Sequence, residues 1–306
     1  MKKYMFLFCA VLFLYNCKNE KQSNGKLNVV TTTTMITDLV KNIGGDHINL
    51  QGLMGSGVDP HLYKASEGDV TKLANADIIF YNGLHLEGKL VEVFEKMKNK
   101  KTVAVSDIID KNTLIGSEYF ASNYDPHIWF DIQYWMQATN YIVEILSEAI
   151  PDKKDFFQAN GFKYLRQLED LSKRVKVTIE TLPKEQRILV TAHDAFNYFG
   201  KAFDFEVVGL QGLSTATEAG VQDVQKLSTF IIENNVKAIF VESSVPKRTI
   251  EALQASVKSK GHNVTIGGEL YSDALGNAGT LEGTYIGMFE YNVNTIVEAL
   301  ALPNLP

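Results

Sequence analysis

The sequence predicts an α/β protein whose two lobes, each a parallel sheet covered by helices, are joined by one long helix. Three observations predict this fold. Strand and helix patterns alternate over residues 27–107, and they alternate again over residues 187–276. A continuous helix pattern at 153–182 separates the two series. Because alternating strands and helices form parallel sheets with helices on their faces, each series predicts one lobe.

The first lobe is predicted from a regular series of short patterns. The β-rich run Leu27–Thr34 precedes apolar residues at helical spacing, which end at a Gly-Gly pair. Further strand patterns occur at His47–Met54, Ala76–Gly83 and Thr102–Asp107. Between the first two of these strands, Ser66 is the predicted N-cap of a short helix.

A single long helix at 153–182 links the two predicted lobes. Its apolar residues fall mostly at intervals of three and four, no strand pattern precedes Pro183, and Gly161 is a position that could soften the helix. The second lobe has strand patterns at Arg187–Phe196, Phe205–Gly212, Lys237–Ser244 and Asn263–Gly276, and helix patterns near Val221–Asn234 and Lys247–Ser259. We therefore place the lobes at residues 27–152 and 183–306.

Residues 1–17 predict an export signal that ends in a lipidated cysteine. A basic MKK start is followed by an apolar stretch that stops at Asn16, which is too short for a membrane span of about 20 residues. The final LYNC resembles the lipobox of bacterial lipoproteins, although Tyr15 and Asn16 replace its usual small residues. Cys17 would carry the lipid; a signal cleaved without lipidation and an uncleaved anchor are the alternatives. The polar segment 18–26 is the predicted tether, so the protein would be exported and held on the periplasmic or cell-surface side of the membrane.

The net charge argues against one class of partner, and the cysteine content argues against a disulfide. The net charge of −6 argues against nucleic acid, because phosphate binding needs a basic face. The two cysteines are Cys9, which would leave with the signal, and Cys17, which would be acylated. We therefore expect no disulfide in the exported body, although its compartment would permit one.

Three of the six histidines are expected on the side of the sheets where ligands bind. His61 and His127 occupy the same Asp-Pro-His-aliphatic-aromatic frame, and His193 ends an apolar strand pattern. In open α/β sheets, ligands lie beyond the carboxyl ends of the strands, so the site is expected in the cleft between the lobes. Neutral imidazoles that converge there suit a divalent metal ion, and a carboxylate often completes the set. Asp273 and Glu269 are both candidates for that carboxylate, and their spacing does not decide between them.

The other three histidines are predicted to be solvated or structural: His47, His85 and His262. Two tryptophans that follow His127 closely, Trp129 and Trp135, are expected to keep water away from the site rather than to bind a ligand.

Seven motifs in a fixed order give the chain a resemblance to a known family. They are DPHLYKAS, NGLHLEG, DPHIWFD, VTAHDAFNYFG, STATEAGVQDV, AIFVESSV and GGELYSDALG. With them the chain resembles the TroA/ZnuA-like solute-binding proteins of metal ABC transporters. The resemblance implies one metal ion between two lobes, bound by His61 and His127 from the first and by His193 and Asp273 from the second. It also implies an ABC permease as partner, a monomer, and binding without enzymatic activity.

The metal is expected to be zinc or manganese. Three nitrogen ligands favour zinc, whereas a carboxylate that can bind through two oxygens suits the larger coordination number of manganese. The chain lacks the long His- and Asp-rich loop that zinc-specific members of the family often carry. The three-His-one-Asp set resembles members that take both ions.

Two other functions remain as alternatives, a secreted zinc-dependent hydrolase and a metal-binding surface adhesin. A catalytic zinc usually has three protein ligands and an open position for water, and the chain contains no H-E-x-x-H motif. The nearest candidates for a general base are Glu242 and Asp194. We expect these two carboxylates to orient the histidines or to cap helices instead.

Overall fold

The computed structural model describes residues 25–97, 99–117 and 120–301. The predicted signal peptide, Cys17 and most of the predicted tether lie outside these ranges. Within them, no helix combines the length and the apolar character that crossing a membrane requires.

The N-terminal lobe is a four-stranded parallel sheet with helices against it. Its strands are β1 (Leu27–Thr31), β2 (Ile48–Gly52), β3 (Ile78–Tyr81) and β4 (Lys101–Ala104). Its helices are α1 (Thr34–Gly44), α2 (Glu67–Asn75), α3 (Val91–Lys96) and α4 (Ile132–Ala149). The strands lie in the order β2-β1-β3-β4. Ser66 caps α2 as predicted, because its Oγ accepts the backbone N–H of Asp69 at 3.2 Å.

The C-terminal lobe repeats this arrangement of strands. Its strands are β5 (Ile188–His193), β6 (Glu206–Gln211), β7 (Ala238–Glu242) and β8 (Thr265–Leu270). Their spatial order is β6-β5-β7-β8, and every pair is parallel. The strand order reverses between β5 and β7, and the carboxyl end of a sheet at such a point is where open α/β proteins bind ligands.

One helix links the lobes, as the sequence predicts. This helix, α5 (Lys154–Glu180), has 27 residues and is about 40 Å long at 1.5 Å per residue. Gly161 does not interrupt it. A Cβ at Gly161 would lie 2.5 Å from Cγ2 of Val143, so glycine there allows α5 to approach α4 closely. The remaining helices belong to the C-terminal lobe: α6 (Asn197–Phe203), α7 (Val221–Glu233), α8 (Arg248–Ser259) and α9 (Tyr285–Ala301).

The largest apolar core continues from one lobe into the other. The rings of Phe130 and Phe196, which belong to different lobes, have centroids 4.3 Å apart. Trp135 of α4 stacks on Tyr285 of α9 with centroids 5.0 Å apart. Because all four side chains are buried, apolar packing holds the lobes together beside the cleft.

Candidate metal centre

Four buried side chains meet between the lobes. They are His61, His127, His193 and Asp273, and each offers one ligand atom to a group in which these atoms all lie within 4.8 Å of one another. His61 is 5% exposed, Asp273 is 1% exposed, and the other two are fully buried. Polar groups are rarely buried without partners, so this cluster indicates that an ion or molecule binds among the four side chains.

Three of these residues end or follow strands of the two sheets, and the fourth, His127, comes from the turn before α4. His61 lies in the loop that follows β2, and His127 precedes the short turn Ile128–Phe130 that leads into α4. His193 is the last residue of β5, and Asp273 lies three residues beyond the end of β8. Each lobe therefore supplies two members of the group.

The distances within the group fit one small cation. His61 Nε2 lies 3.3 Å from His127 Nε2, and His193 Nε2 lies 3.2 Å from Asp273 Oδ2. Two further separations are 3.7 Å between His61 Nε2 and Asp273 Oδ2 and 3.6 Å between His127 Nε2 and Asp273 Oδ1, and no pair of ligand atoms is more than 4.8 Å apart. A tetrahedral ion with bonds of about 2.0–2.1 Å has ligands about 3.3–3.4 Å apart. The four side chains therefore match the size of a zinc-like site.

The electrostatics of the group also favour a cation. Both oxygens of Asp273 and Nε2 of His193 have no aligned hydrogen-bond partner among the described residues. Burial by itself would raise the pKa of Asp273, but the three neighbouring histidines outweigh it and hold that pKa below its ordinary value. Burial lowers the pKa of His61 to about 3, so its imidazole is neutral and has a lone pair available. A carboxylate and a neutral imidazole are the forms that bind metal ions.

Two further carboxylates orient two of the imidazoles. Glu242 Oε2 lies 2.6 Å from Nδ1 of His193, and Asp125 Oδ1 lies 2.7 Å from Nδ1 of His127. Both carboxylates are buried, and both contacts direct Nε2 of the histidine towards the centre of the group. Metal-binding histidines usually have such a partner on their second nitrogen.

Comparison with known proteins identifies the family. The model of the family described as "Zinc-uptake complex component A periplasmic" (ZnuA) matches residues 29–299. The chain belongs to the ZnuA family.

Individual members of the ZnuA family are similar over nearly the whole chain. The manganese-binding lipoprotein MntA of Bacillus subtilis is 48% identical over 302 residues, which cover 96% of this chain and 98% of that protein. The zinc-binding protein TroA of Treponema pallidum is 50% identical over 280 residues, which cover 91% of this chain and 90% of that protein. The solved structure of periplasmic TroA from Treponema pallidum has a TM-score of 0.88 at 50% identity and covers 91% of this chain and 100% of that one.

Two carboxylates that the sequence also indicated, Glu269 and Asp194, are not members of the buried group in this ZnuA-family fold. Glu269 is in β8 and forms an ion pair with Lys247 at 2.6 Å, so it is not part of the buried group. The carboxylate of Asp194 accepts the backbone N–H of Gly209 at 2.7 Å and thus ties β5 to β6. Beside Glu242, the carboxylate that contacts the ring of a clustered histidine is that of Asp125, whose Oδ1 lies 2.7 Å from Nδ1 of His127. The hydrogen bond of the Asp194 carboxylate goes to backbone instead.

The aromatic residues near the site have separate roles. Trp129 packs against His127 with ring centroids 5.2 Å apart, and its Nε1 donates to the carbonyl of Ser272 at 2.9 Å. It therefore covers one side of His127, a position consistent with the expected exclusion of water. Trp135 instead stacks on Tyr285 in the core.

The remaining histidines lie outside the group. Their ring contacts and exposure differ from one to the next: His47 packs edge-on against Phe156, His85 is exposed, and His262 is half-buried.

Proposed function

We propose that the protein binds one divalent transition metal ion, zinc or manganese, between its lobes and delivers it to an ABC permease for uptake into the cell. The observation that carries this proposal is the buried group of three imidazoles and one carboxylate, divided equally between two lobes. The names of the relatives support it, because MntA is a manganese-binding lipoprotein and TroA a zinc-binding protein. The metal ion is cargo here, so the protein needs to hold it and release it unchanged.

Four protein ligands favour binding over hydrolysis. A catalytic zinc keeps a position open for water beside three protein ligands, whereas this group offers a fourth donor in Asp273. The carboxylates that could act as general bases are already engaged. Glu242 uses one oxygen for the backbone N–H of His193 and the other for its ring, and Asp194 accepts from Gly209. We therefore assign no enzymatic activity to the site.

The group suits both candidate ions for different reasons. Three imidazole nitrogens favour zinc, which forms stronger complexes than manganese with such donors. Asp273 presents Oδ1 towards His127 and Oδ2 towards His61 and His193, so both carboxylate oxygens face the interior of the group. A carboxylate that binds through two oxygens raises the coordination number, which suits manganese.

The anchor and the domain limits are part of the same proposal. Residues 1–17 form a lipoprotein signal, Cys17 carries the lipid, 18–26 is the tether, and the lobes comprise 27–152 and 183–306 around the helix at 153–182. Several relatives are named as lipoproteins, among them MntA of Bacillus subtilis and PsaA of Streptococcus mitis. The protein would work as a monomer tethered beside its permease. Labelled palmitate should enter the wild-type chain but not Cys17→Ala, and labelling that persists in Cys17→Ala would contradict this anchor.

Metal analysis of protein purified without chelators tests the proposed function. We expect about one equivalent of zinc or manganese per chain, and competition between the two ions for one site. A chain that takes up neither ion after chelator treatment and dialysis would refute the proposal. Hydrolysis of ester or peptide substrates by the zinc-loaded protein, abolished by Glu242→Gln, would instead favour the hydrolase.

A further inference from the structure

The aspartates of the two Asp-Pro-His turns, Asp59 and Asp125, use their two carboxylate oxygens in the same way. In each turn, Oδ1 accepts the backbone N–H of the histidine two residues later, at 2.8 Å for Asp59 with His61 and at 2.9 Å for Asp125 with His127. This bond fixes the turn within the N-terminal lobe. It leaves the second oxygen of each aspartate available for another donor.

The second oxygen of each aspartate accepts a hydrogen bond from the opposite lobe. Asp59 Oδ2 accepts from Oγ1 of Thr215, in the loop that follows β6, at 2.5 Å. Asp125 Oδ2 accepts from Nδ2 of Asn197, the first residue of α6, at 3.0 Å. Both histidine-bearing turns are therefore tied to the C-terminal lobe through the aspartate that precedes the histidine.

The tie through Asn197 also reaches the C-terminal half of the metal group. Its amide nitrogen donates to the backbone carbonyl of Asp194 at 3.2 Å, next to His193 in the chain. Because both neighbours of this nitrogen are acceptors, the amide has one orientation that satisfies them. Asn197 thus connects the residue beside His193 with the carboxylate that orients His127.

Separation of the lobes would break both ties at once. Asp125 is fully buried, and a buried carboxylate oxygen that loses its donor is costly. The apolar core shared by the lobes includes neither the two aspartates nor Asn197 and Thr215. Loss of either tie should therefore loosen the metal group without unfolding the protein.

We propose that Asn197 and Thr215 are positioning residues that hold the two Asp-Pro-His turns against the C-terminal lobe and so slow the release of the metal ion. The inference rests on the proposed function, because it assigns to these residues control over ion release from that same site. A permease that separates the lobes would weaken the ion's hold on His61 and His127 by breaking these two bonds.

The test measures zinc dissociation from the loaded full-length protein into an excess of a chromogenic chelator by stopped flow. We expect dissociation about tenfold faster in Asn197→Ala, as for the loss of one hydrogen bond to a charged group. Asn197→Asp should release zinc faster still, because it places a second carboxylate against Asp125. Thr215→Val should release zinc several-fold faster, and Thr215→Ser, which keeps the hydroxyl, should match the wild type.

The control is Lys201→Met, which removes another hydrogen bond between the lobes. Lys201 Nζ donates to the carbonyl of Thr113 at 2.8 Å, and neither Asp59 nor Asp125 takes part in this bond. We expect Lys201→Met to release zinc at the wild-type rate, and the metal-free melting temperatures of Thr215→Val and Thr215→Ser to agree. The same acceleration in Lys201→Met, or faster release from Thr215→Ser as well, would overturn the inference. Wild-type release rates in Asn197→Ala and Thr215→Val would overturn this inference and leave the proposed function intact. A wild-type protein that binds no zinc would overturn both the inference and the proposed function.

Discussion

Glu242 holds His193 with both of its carboxylate oxygens. Oε1 accepts the backbone N–H of His193 at 2.9 Å, and Oε2 lies 2.6 Å from its ring Nδ1. The two residues end the neighbouring strands β5 and β7, at the point where the strand order reverses. Because Nδ1 is engaged, Nε2 is the nitrogen of His193 that is available to an ion. The positions of β5 and β7 in the sheet fix the direction in which this nitrogen points.

Removal of this contact should weaken metal binding without loss of a ligand. We expect zinc affinity to fall about tenfold in Glu242→Gln and closer to a hundredfold in Glu242→Ala, the range observed for partners of metal-bound histidines. Glu269→Gln is the matched control, because Glu269 is a partly exposed carboxylate of β8 paired with Lys247. Titration against a competing chelator measures the affinities. Wild-type affinity in Glu242→Ala would show that the contact does not position His193.

Metal binding should release a proton from His193. Burial opposes protonation of its ring, but the carboxylates of Glu242 and Asp273 outweigh burial and raise the pKa of His193 well above its usual value. His61, with a pKa lowered to about 3 mainly by burial, has no proton to lose at neutral pH. Below the raised pKa, a proton occupies His193 and the ion must displace it. The apparent affinity therefore increases with pH, by about tenfold per unit for one proton.

Calorimetry in buffers with different ionisation enthalpies measures this proton. At pH 7 we expect about one proton released per zinc ion, and fewer in Glu242→Gln, because that variant lowers the pKa of His193. Binding heats that are independent of the buffer, together with an affinity that does not change between pH 6 and 8, would contradict the account.

Alanine substitutions should distinguish the four clustered residues, which we expect to bind the metal ion, from the other three histidines, which we expect not to bind it. Each of His61→Ala, His127→Ala, His193→Ala and Asp273→Ala should weaken zinc binding, whereas His47→Ala, His85→Ala and His262→Ala should not. Asp273→Ala should weaken manganese binding relatively more, because it removes the anionic oxygen donor from the group. Titration of all seven variants with both ions tests this. Normal binding of both ions by Asp273→Ala would remove that residue from the ligand set.

The bound ion should stabilise the folded protein. A ligand that binds only the folded state stabilises it by about 4 kcal/mol at roughly a thousandfold excess over its Kd. We therefore expect the melting temperature of chelator-treated protein to rise by several degrees with zinc and by less with manganese. Asp273→Ala should lose most of the rise with manganese. An unchanged melting temperature with both ions would count against a site that joins the lobes.

Much of the fold follows from local patterns in the sequence. Short apolar runs such as Ile78–Phe80 are buried and lie in strands, and the capping box at Ser66 and Asp69 begins a helix. The helix α9 was not predicted, although its apolar residues recur at intervals of three and four. Its buried residues include Met288, Phe289, Val293, Ile296 and Leu300. Gly161 appeared as a weak point in α5, and only the contact with Val143 explains it as a close approach between helices.

The site was less predictable where tertiary contacts decide it. The Asp-Pro-His motifs indicate two of the histidines, but the sequence alone did not distinguish Asp273 from Glu269. That choice depends on where β8 ends and on the ion pair between Glu269 and Lys247. From the sequence, Asp125 was recognised only as a member of the Asp-Pro-His motif. Its contacts with His127 and Asn197 exist because the lobes close around it.

The X-ray absorption spectrum of the zinc-loaded protein tests the central claim most directly. A site built from His61, His127, His193 and Asp273 predicts a zinc coordination sphere with three imidazoles and one carboxylate, at about 2.0–2.2 Å. The spectrum of His193→Ala should show one imidazole fewer. A zinc sphere of three imidazoles and water that is unchanged in Asp273→Ala, or one with fewer than three imidazoles in the wild-type protein, would contradict this ligand set.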